Sequence, residues 1–147
     1  MRIKQSRFFW RAIGLVVFLT SIAWTQTERI SVFKGVEFPF DFKSGDTIIE
    51  KGRYDLEIYY SKVDTNFLYF LRIMRKGKFL YEIPGERIEY SATTIQELRK
   101  DPKIPKEPTI RIKKIPESNL VNILFESGKT GNMPFEKAFF RVEEIQK

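Results

Sequence analysis

Few residue types in this 147-residue chain can do chemistry, because it contains no histidine and no cysteine. Histidine-based triads, thiolate nucleophiles and the usual zinc and copper sites are therefore excluded. Only carboxylates, lysine, tyrosine, serine and threonine remain as catalytic candidates. Because no disulfide can form, a folded domain must be held together by its core alone, which is feasible at this size.

Three acidic residues, Asp41, Asp46 and Glu50, are spaced closely enough to suggest a calcium site or a glycosidase pair. They do not form an EF-hand pattern, and no further acids support them. Asp41 is predicted to point away from the apolar face of a strand, and Asp46 to lie in a turn. We therefore predict no catalytic residue, no metal and no cofactor.

The segment SGKT at 127–130 is similar to the end of a phosphate-binding loop. That motif requires a glycine five residues before Gly128, and Ile123 occupies this position. The segment is therefore predicted to be a surface loop.

The N-terminal segment has the three parts of an export signal. Its basic residues are Arg2, Lys4, Arg7 and Arg11. The apolar run over 12–24 is shorter than the about 20 residues that a membrane span requires, and small residues stand at Ser21 and Ala23. We predict a signal peptide over 1–23, a single β-domain over 24–147, and an exported protein, periplasmic or extracellular. Anchoring in the membrane by an uncleaved N-terminal segment is the alternative.

The formal net charge is +7. Removing the signal segment takes away its four basic residues and leaves +3. We therefore predict no nucleic-acid partner, and membrane contact only through the signal segment if it is uncleaved. Arg111, Lys113 and Lys114 form a basic strand face, which we interpret as a guard against edge-to-edge pairing; contact with anionic lipid or polysaccharide is the alternative.

Alternation of apolar and polar residues dominates the rest of the chain and predicts half-buried strands. The clearest apolar face consists of Tyr54, Leu56, Ile58 and Tyr60. Residues 67–74 are nearly continuously apolar, which favours a central strand covered on both faces. Turn signals follow at 75–78 and at Pro84-Gly85.

A capping box at 94–97 predicts one short helix at about 95–100, ended by Pro102. The complete pattern predicts an all-β fold: an antiparallel β-sandwich or small β-barrel of eight to nine strands, with that helix, preceded by an N-terminal signal helix.

The stretch FPFDF at 38–42, followed by Gly45 and by IEKGRY at 49–54, resembles a family of small exported bacterial proteins. Their pattern is a Pro-Phe-x-Phe strand, a Gly turn and then Leu-Pro-Ala-Gly-x-Tyr. Glu50 and Lys51 stand here in place of the Pro-Ala pair. The resemblance implies an exported, compact β-domain and carries no activity, since the family has no established function.

Gly52 and Tyr54 are predicted to form a structural turn. Glycine accepts a positive φ without strain, so Gly52 can adopt one here. The Tyr54 ring would point inward, with its hydroxyl group able to bond back to the turn. This resembles the tyrosine corner of immunoglobulin-like sandwiches, but we favour an ordinary glycine turn before a strand.

Aromatic residues are concentrated in the middle hairpin, and both of its faces can be core only if something covers the outside. The 91–108 segment, a second subunit or a ligand could do so. The predicted partner surface consists of Tyr59, Tyr69, Phe70, Phe79 and Tyr81.

These features favour an exported, non-enzymatic β-domain that acts as a binding or envelope-associated module, with an unknown protein or envelope component as its partner. The alternative is a barrel-type carrier of an apolar small ligand, and the third is a carboxylate-based hydrolase. Large inward residues, among them Phe38, Phe40 and Phe42, favour a packed core, because an eight-stranded barrel is just wide enough to be filled by side chains.

Overall fold

The computed structural model describes residues 26–63, 66–91 and 94–146. The predicted signal peptide over 1–23 lies outside these residues. In chain order the elements are β1 (Gln26–Phe38), β2 (Phe42–Ser44), β3 (Thr47–Ile49), β4 (Gly52–Val63), β5 (Asn66–Arg75), β6 (Lys78–Arg87), α1 (Ile95–Lys100), β7 (Thr109–Lys114), β8 (Leu120–Glu126) and β9 (Lys137–Glu144). The described part of the chain contains no helix that is long and apolar enough to cross a membrane.

The strands form one antiparallel sheet that is curled into a half-barrel. Its hydrogen-bonded order is β1-β4-β5-β6-β9-β8-β7. Strand β6 pairs with β9 at Ala138 and Phe139, and β2 of the short β2–β3 hairpin pairs with β9 at Glu143 and Glu144. Strands β1 and β7 are the two ends of this path and do not pair with each other among the described residues. The predicted antiparallel β-fold of eight to nine strands with one short helix is confirmed.

The inner face of the sheet carries a single hydrophobic core. Phe38, Phe40 and Phe42 are all buried there, and the rings of Phe38 and Phe42 stack with centroids 4.6 Å apart. Phe125 of β8 and Phe140 of β9 are fully buried in the same core. Large side chains from both ends of the chain thus fill the interior.

Strands β4 and β5 alternate between the two faces of the sheet. In β5, Tyr69, Leu71 and Ile73 are buried, while Phe70 and Met74 are only partly buried on the opposite face. The prediction that residues 67–74 are covered on both faces is therefore wrong. The strand is central, between β4 and β6, but within the described structure only its inner face is fully buried.

The two turn signals have different outcomes. At 75–78, Lys76 has φ 49° and Gly77 has φ 75°, as a tight β-hairpin requires, so this turn is confirmed. Pro84 and Gly85, in contrast, lie inside β6, and the predicted turn is wrong. Pro84 is tolerated because it pairs only with β5, whereas β9 joins β6 at Glu86 and Arg87.

The helix begins where the capping box predicts. The Thr94 side chain accepts from the Glu97 backbone amide, and the Glu97 carboxylate accepts from the Thr94 amide. Beyond the helix, Ile104 is buried, and the carbonyl groups of Pro105 and Lys106 accept from the Lys129 amide. The segment around the helix therefore packs against the loop between β8 and β9.

Candidate functional site

The outer face of β4, β5 and β6 carries three rows of side chains that cross the strands. The register places Tyr59 beside Phe70 and Phe70 beside Pro84; the next row is Glu57, Arg72 and Glu82, and the third is Asp55, Met74 and Phe79. We call the following set the outer aromatic surface: Glu57, Tyr59, Phe70, Arg72, Met74, Phe79 and Glu82. Six of them, all except Phe70, line an open depression of about 390 Å³.

Arg72 is held in place at the centre of the outer aromatic surface. Its Nε donates to Glu82 Oε2 at 2.6 Å, and its Cζ lies 3.9 Å from the centroid of the Tyr59 ring. The hydrogen bond to the Glu82 carboxylate raises the pKa of Arg72 above its usual range. A guanidinium group fixed by a carboxylate and an aromatic ring loses little further conformational freedom when a partner binds.

The polar groups at the margin of this surface are also paired. The Tyr59 hydroxyl group donates to Glu57 Oε2 at 3.0 Å, and Arg29 Nη1 on β1 donates to Glu57 Oε1 at 3.2 Å. These bonds leave the aromatic and thioether groups as the uncommitted part of the surface. Phe79 contributes most to it, because 57% of this residue is exposed.

Two of the five residues predicted for the partner surface lie elsewhere. Tyr69 is 1% exposed and belongs to the core, and Tyr81 is partly buried against the core. Tyr69 is one position out of phase with the outward Phe70. Tyr81 is likewise one position from the outward Glu82, and the register shift between Ile73 and Met74 allows Phe79, two positions before Tyr81, to lie on the outer face. The structure brings the other three, Tyr59, Phe70 and Phe79, to the outer face.

Tyr69 instead belongs to a polar cluster near the start of β9. Its hydroxyl group donates to Glu136 Oε2 at 2.5 Å, and burial raises the pKa of Tyr69 well above its usual range. Arg87 donates to both Glu136 oxygens, at 3.0 and 3.1 Å, and lies over the ring of Phe67, which stacks on Tyr60. The cluster joins β4, β5 and β6 to the segment that precedes β9.

A second polar cluster surrounds the buried carboxylate of Glu126. Arg111 donates to it at 2.5 Å, and the Lys137 ammonium group lies 3.6 Å away. Burial, reinforced by the charge of Glu126, raises the pKa of Tyr90 to about 12. The Tyr90 hydroxyl group is buried and has no hydrogen-bond partner within the described structure.

Both clusters have the composition of structural ion pairs. Glu126 and Glu136 each lie beside cationic side chains, and a buried carboxylate requires such partners. Sequence reasoning missed both residues. Glu126 stands at the end of the apolar run of β8, and this position was a signal that its carboxylate is buried. Glu136 offers no such signal, because its partners are 49 and 67 residues away in the chain.

The predicted structural turn lies between β3 and β4. The Tyr54 hydroxyl group donates to the Glu50 carbonyl oxygen at 2.5 Å, and the Tyr54 ring is buried. Gly52 has φ +153°, a positive value that favours glycine. The positive φ that the sequence allowed for Gly52 is therefore present, at a value far from the about +57° of the left-handed helical conformation.

The acids considered for calcium binding or glycoside hydrolysis lie near this turn but do not form a site. Asp41 lies between β1 and β2 rather than in a strand, and its carboxylate accepts from the Lys51 amide at 2.8 Å. Asp46 is in the turn between β2 and β3, as predicted. Among the residues that the structure describes, no three acidic side chains are grouped as a metal site would require.

Comparison of the chain with protein-family models, with curated proteins and with solved structures finds no match. The class of protein is therefore defined by the fold alone, an antiparallel β half-barrel with a filled interior.

Proposed function

We propose that this protein is an exported, non-enzymatic binding module that contacts a partner protein through the outer aromatic surface. The observation that carries the proposal is the residue composition of that surface. Tyrosine, phenylalanine, methionine and arginine are enriched at the centres of protein interfaces, where lysine and acidic residues are depleted. Five of the seven residues, Tyr59, Phe70, Arg72, Met74 and Phe79, are of these types, and the two acids, Glu57 and Glu82, are ion-paired.

The arrangement of the outer aromatic surface also supports a protein partner. Aromatic and thioether groups lie in the first and third rows, and the ion pairs Arg29–Glu57 and Arg72–Glu82 belong to the row between them. Covering these pairs costs less than covering unpaired charges, because their hydrogen bonds persist on binding. Pro105 and Lys106 of the 91–108 segment accept backbone hydrogen bonds from residues 129 and 130. No described residue of that segment lines the depression on the outer aromatic surface.

The alternative of an apolar-ligand carrier has less support. Carriers of this kind keep space inside the barrel. Here the inward positions of the strands hold large side chains, such as Phe38, Phe42, Phe125 and Phe140, each at most 1% exposed. A saturable one-to-one complex with a fluorescent fatty acid would favour the carrier over the binding module.

Export is tested separately from binding. We expect the protein isolated from its native host to begin near Trp24, since small residues stand at Ser21 and Ala23. Intact-mass measurement decides this. Recovery of the full 147-residue chain in the membrane fraction would instead support the anchored alternative.

The partner surface is tested by site-specific photo-crosslinking in the native host. A photoreactive phenylalanine analogue replaces Phe79 in one variant and Ile48 in the control, because Ile48 is similarly exposed, at 63%, and lies on β3 outside the outer aromatic surface. We expect a crosslinked product only from position 79. A second substitution, Tyr59→Ala, should remove that product while the protein stays folded.

Three outcomes would contradict the proposal. These are equal crosslinking from positions 48 and 79, a product that Tyr59→Ala leaves unchanged, and a product whose mass is twice that of the chain, which would assign the surface to a second copy. The melting temperature of each variant is the folding control. Substitutions at the exposed Phe79 and Ile48 should change stability by less than about 0.5 kcal/mol, whereas Tyr59→Ala also removes the bond to Glu57 and the contact with Arg72.

A further inference from the structure

Strand β7 has a free edge. It pairs with β8 over its whole length without a register shift, and no other strand of the described residues pairs with its second edge. On such an edge the N–H and C=O groups of alternate residues point away from the sheet. A six-residue strand thus offers an unbroken row of donors and acceptors to an incoming segment.

The other end of the sheet is less suited to accept a strand. In β1 the register shifts between Arg29 and Ser31 and again between Phe33 and Val36. Such bulges twist an edge and interrupt its row of hydrogen-bonding groups. The free edge of β7 therefore differs from that of β1 in being regular.

The side chains of β7 divide into an apolar and a basic set. Ile110 and Ile112 are partly buried and pack against the core, whereas Arg111, Lys113 and Lys114 are exposed. Arg111 is paired with Glu126 and Lys114 with Glu144. Lys113 has no ion pair with any residue that the structure describes.

We propose that the free edge of β7 binds an extended segment of a partner protein in which apolar and acidic residues alternate. The apolar side chains of such a strand would lie beside Ile110 and Ile112, and its acids beside Arg111 and Lys113, because side chains of neighbouring strands share faces in register. This is binding by strand addition.

Charge decides which strands are accepted. Pairing of β7 with β7 of a second copy would bring basic side chains together and is disfavoured, while an acidic strand gains favourable cross-strand pairs. The inference does not depend on the outer aromatic surface, which lies on β4 to β6, at the other side of β9 and β8 in the strand order.

The test measures binding of short labelled peptides to the full-length chain by fluorescence anisotropy. The first peptide alternates valine with glutamate, and the second alternates valine with lysine. The third is the valine–glutamate peptide with N-methyl groups on alternate residues, which removes donors from one edge and keeps every charge. We expect saturable binding of the first peptide, no binding of the second, and affinity for the third lower by about tenfold or more, since several backbone hydrogen bonds are lost.

Protein variants locate the site. Lys113→Glu should weaken binding of the valine–glutamate peptide about threefold to tenfold, because one favourable cross-strand pair becomes repulsive. Lys78→Glu, the same charge change at an exposed position of β6, should leave the affinity unchanged. In hydrogen exchange followed by NMR, the outward amides of β7 should become protected when the peptide binds.

Several results would overturn the inference. These are equal binding of the N-methylated peptide, which would indicate attraction to an anionic chain without strand addition; equal effects of Lys113→Glu and Lys78→Glu; and protection of β1 or β3 amides instead of those of β7. Absence of saturable binding would also reject it. Each result leaves the crosslinking test of the outer aromatic surface unaffected.

Discussion

Replacement of Gly85 by alanine should destabilise the protein, mainly because the new Cβ atom would clash with the Phe140 ring. A Cβ atom at this position would lie 2.4 Å from Cε1 and 2.6 Å from Cδ1 of Phe140, whereas carbon atoms in contact are about 3.5–4.0 Å apart. The ring would have to move by about 1 Å to restore such a separation, and Phe140 is fully buried. Strand propensity alone predicts the opposite effect, a gain in the free energy of unfolding of about 0.5–1 kcal/mol, because glycine weakens a strand interior.

We expect the packing effect to dominate, with a net loss of about 1–3 kcal/mol, as for other overpacked cores. Urea denaturation measures it: with a slope of about 2 kcal/mol per molar for a domain of this size, a loss of about 2 kcal/mol lowers the midpoint by about 1 M. The double variant with Phe140→Leu should recover part of the loss, because leucine lacks the ring atoms that the new methyl group meets.

The control is Gly35→Ala, where φ is +63° and nothing lies within 4 Å of the position that the new Cβ atom would take. Gly35→Ala should lower the free energy of unfolding by about 1–2 kcal/mol, the strain of a Cβ atom in the left-handed conformation. This loss should be additive with that of Phe140→Leu. An unchanged or raised midpoint for Gly85→Ala, or additivity of Gly85→Ala with Phe140→Leu, would refute the reasoning.

Three further predictions concern hydrogen bonds and pH. Tyr54→Phe should lower the free energy of unfolding by about 1 kcal/mol, since it removes the bond to the Glu50 carbonyl group; an unchanged urea midpoint would contradict this. The raised pKa of Tyr69 means that its neutral form is favoured in the folded state, so its contribution is complete below the unfolded pKa of about 10 and is lost as pH rises above it. Tyr69→Phe should therefore be less stable at about pH 8 and lose stability less steeply above about pH 10, as measured by urea midpoints across that range; parallel profiles would exclude the effect. The bonds from the Gly35 amide and the Lys34 side chain lower the pKa of Asp55, so its contribution is present above the unfolded pKa of about 3.9 and is lost as pH falls through the lower folded value. Asp55→Asn should flatten the acid side of the stability profile, and an unaltered acid transition would disprove the assignment.

The placement of the polar clusters explains why they resist prediction from the sequence. Glu126 and Glu136 acquire their partners through strand pairing, with Arg111 on the neighbouring β7 and Arg87 on β6. Nothing near Glu136 in the chain marks it as the acceptor of a buried tyrosine. A residue whose role depends on a contact 49 or 67 positions away leaves no local pattern.

Local chemistry was sufficient to predict several of the elements. The alternation in β4, the capping box that begins at Thr94 and the turn at Lys76-Gly77 each depend on residues within a few positions of one another. Their backbone preferences and the period of two are properties of the chain, and they predicted the antiparallel β-fold, the helix at 95–100 and the buried phenylalanines at 38–42.

Tertiary structure alone decided which face each aromatic residue occupies and what meets it there. Pro84-Gly85 is a turn signal by composition, yet it lies in β6. On the edge of β6 that faces β9, pairing begins only at Glu86, so Pro84 has no strand partner there. The Phe140 ring occupies the space beside Gly85. Tyr69 and Phe70 are adjacent and equally aromatic, and only the register of β5 against β4 and β6 sends one into the core and the other to the outer face. The physical reason is that a shift of one residue in register exchanges the two faces of a strand, and register is set by pairing between distant segments.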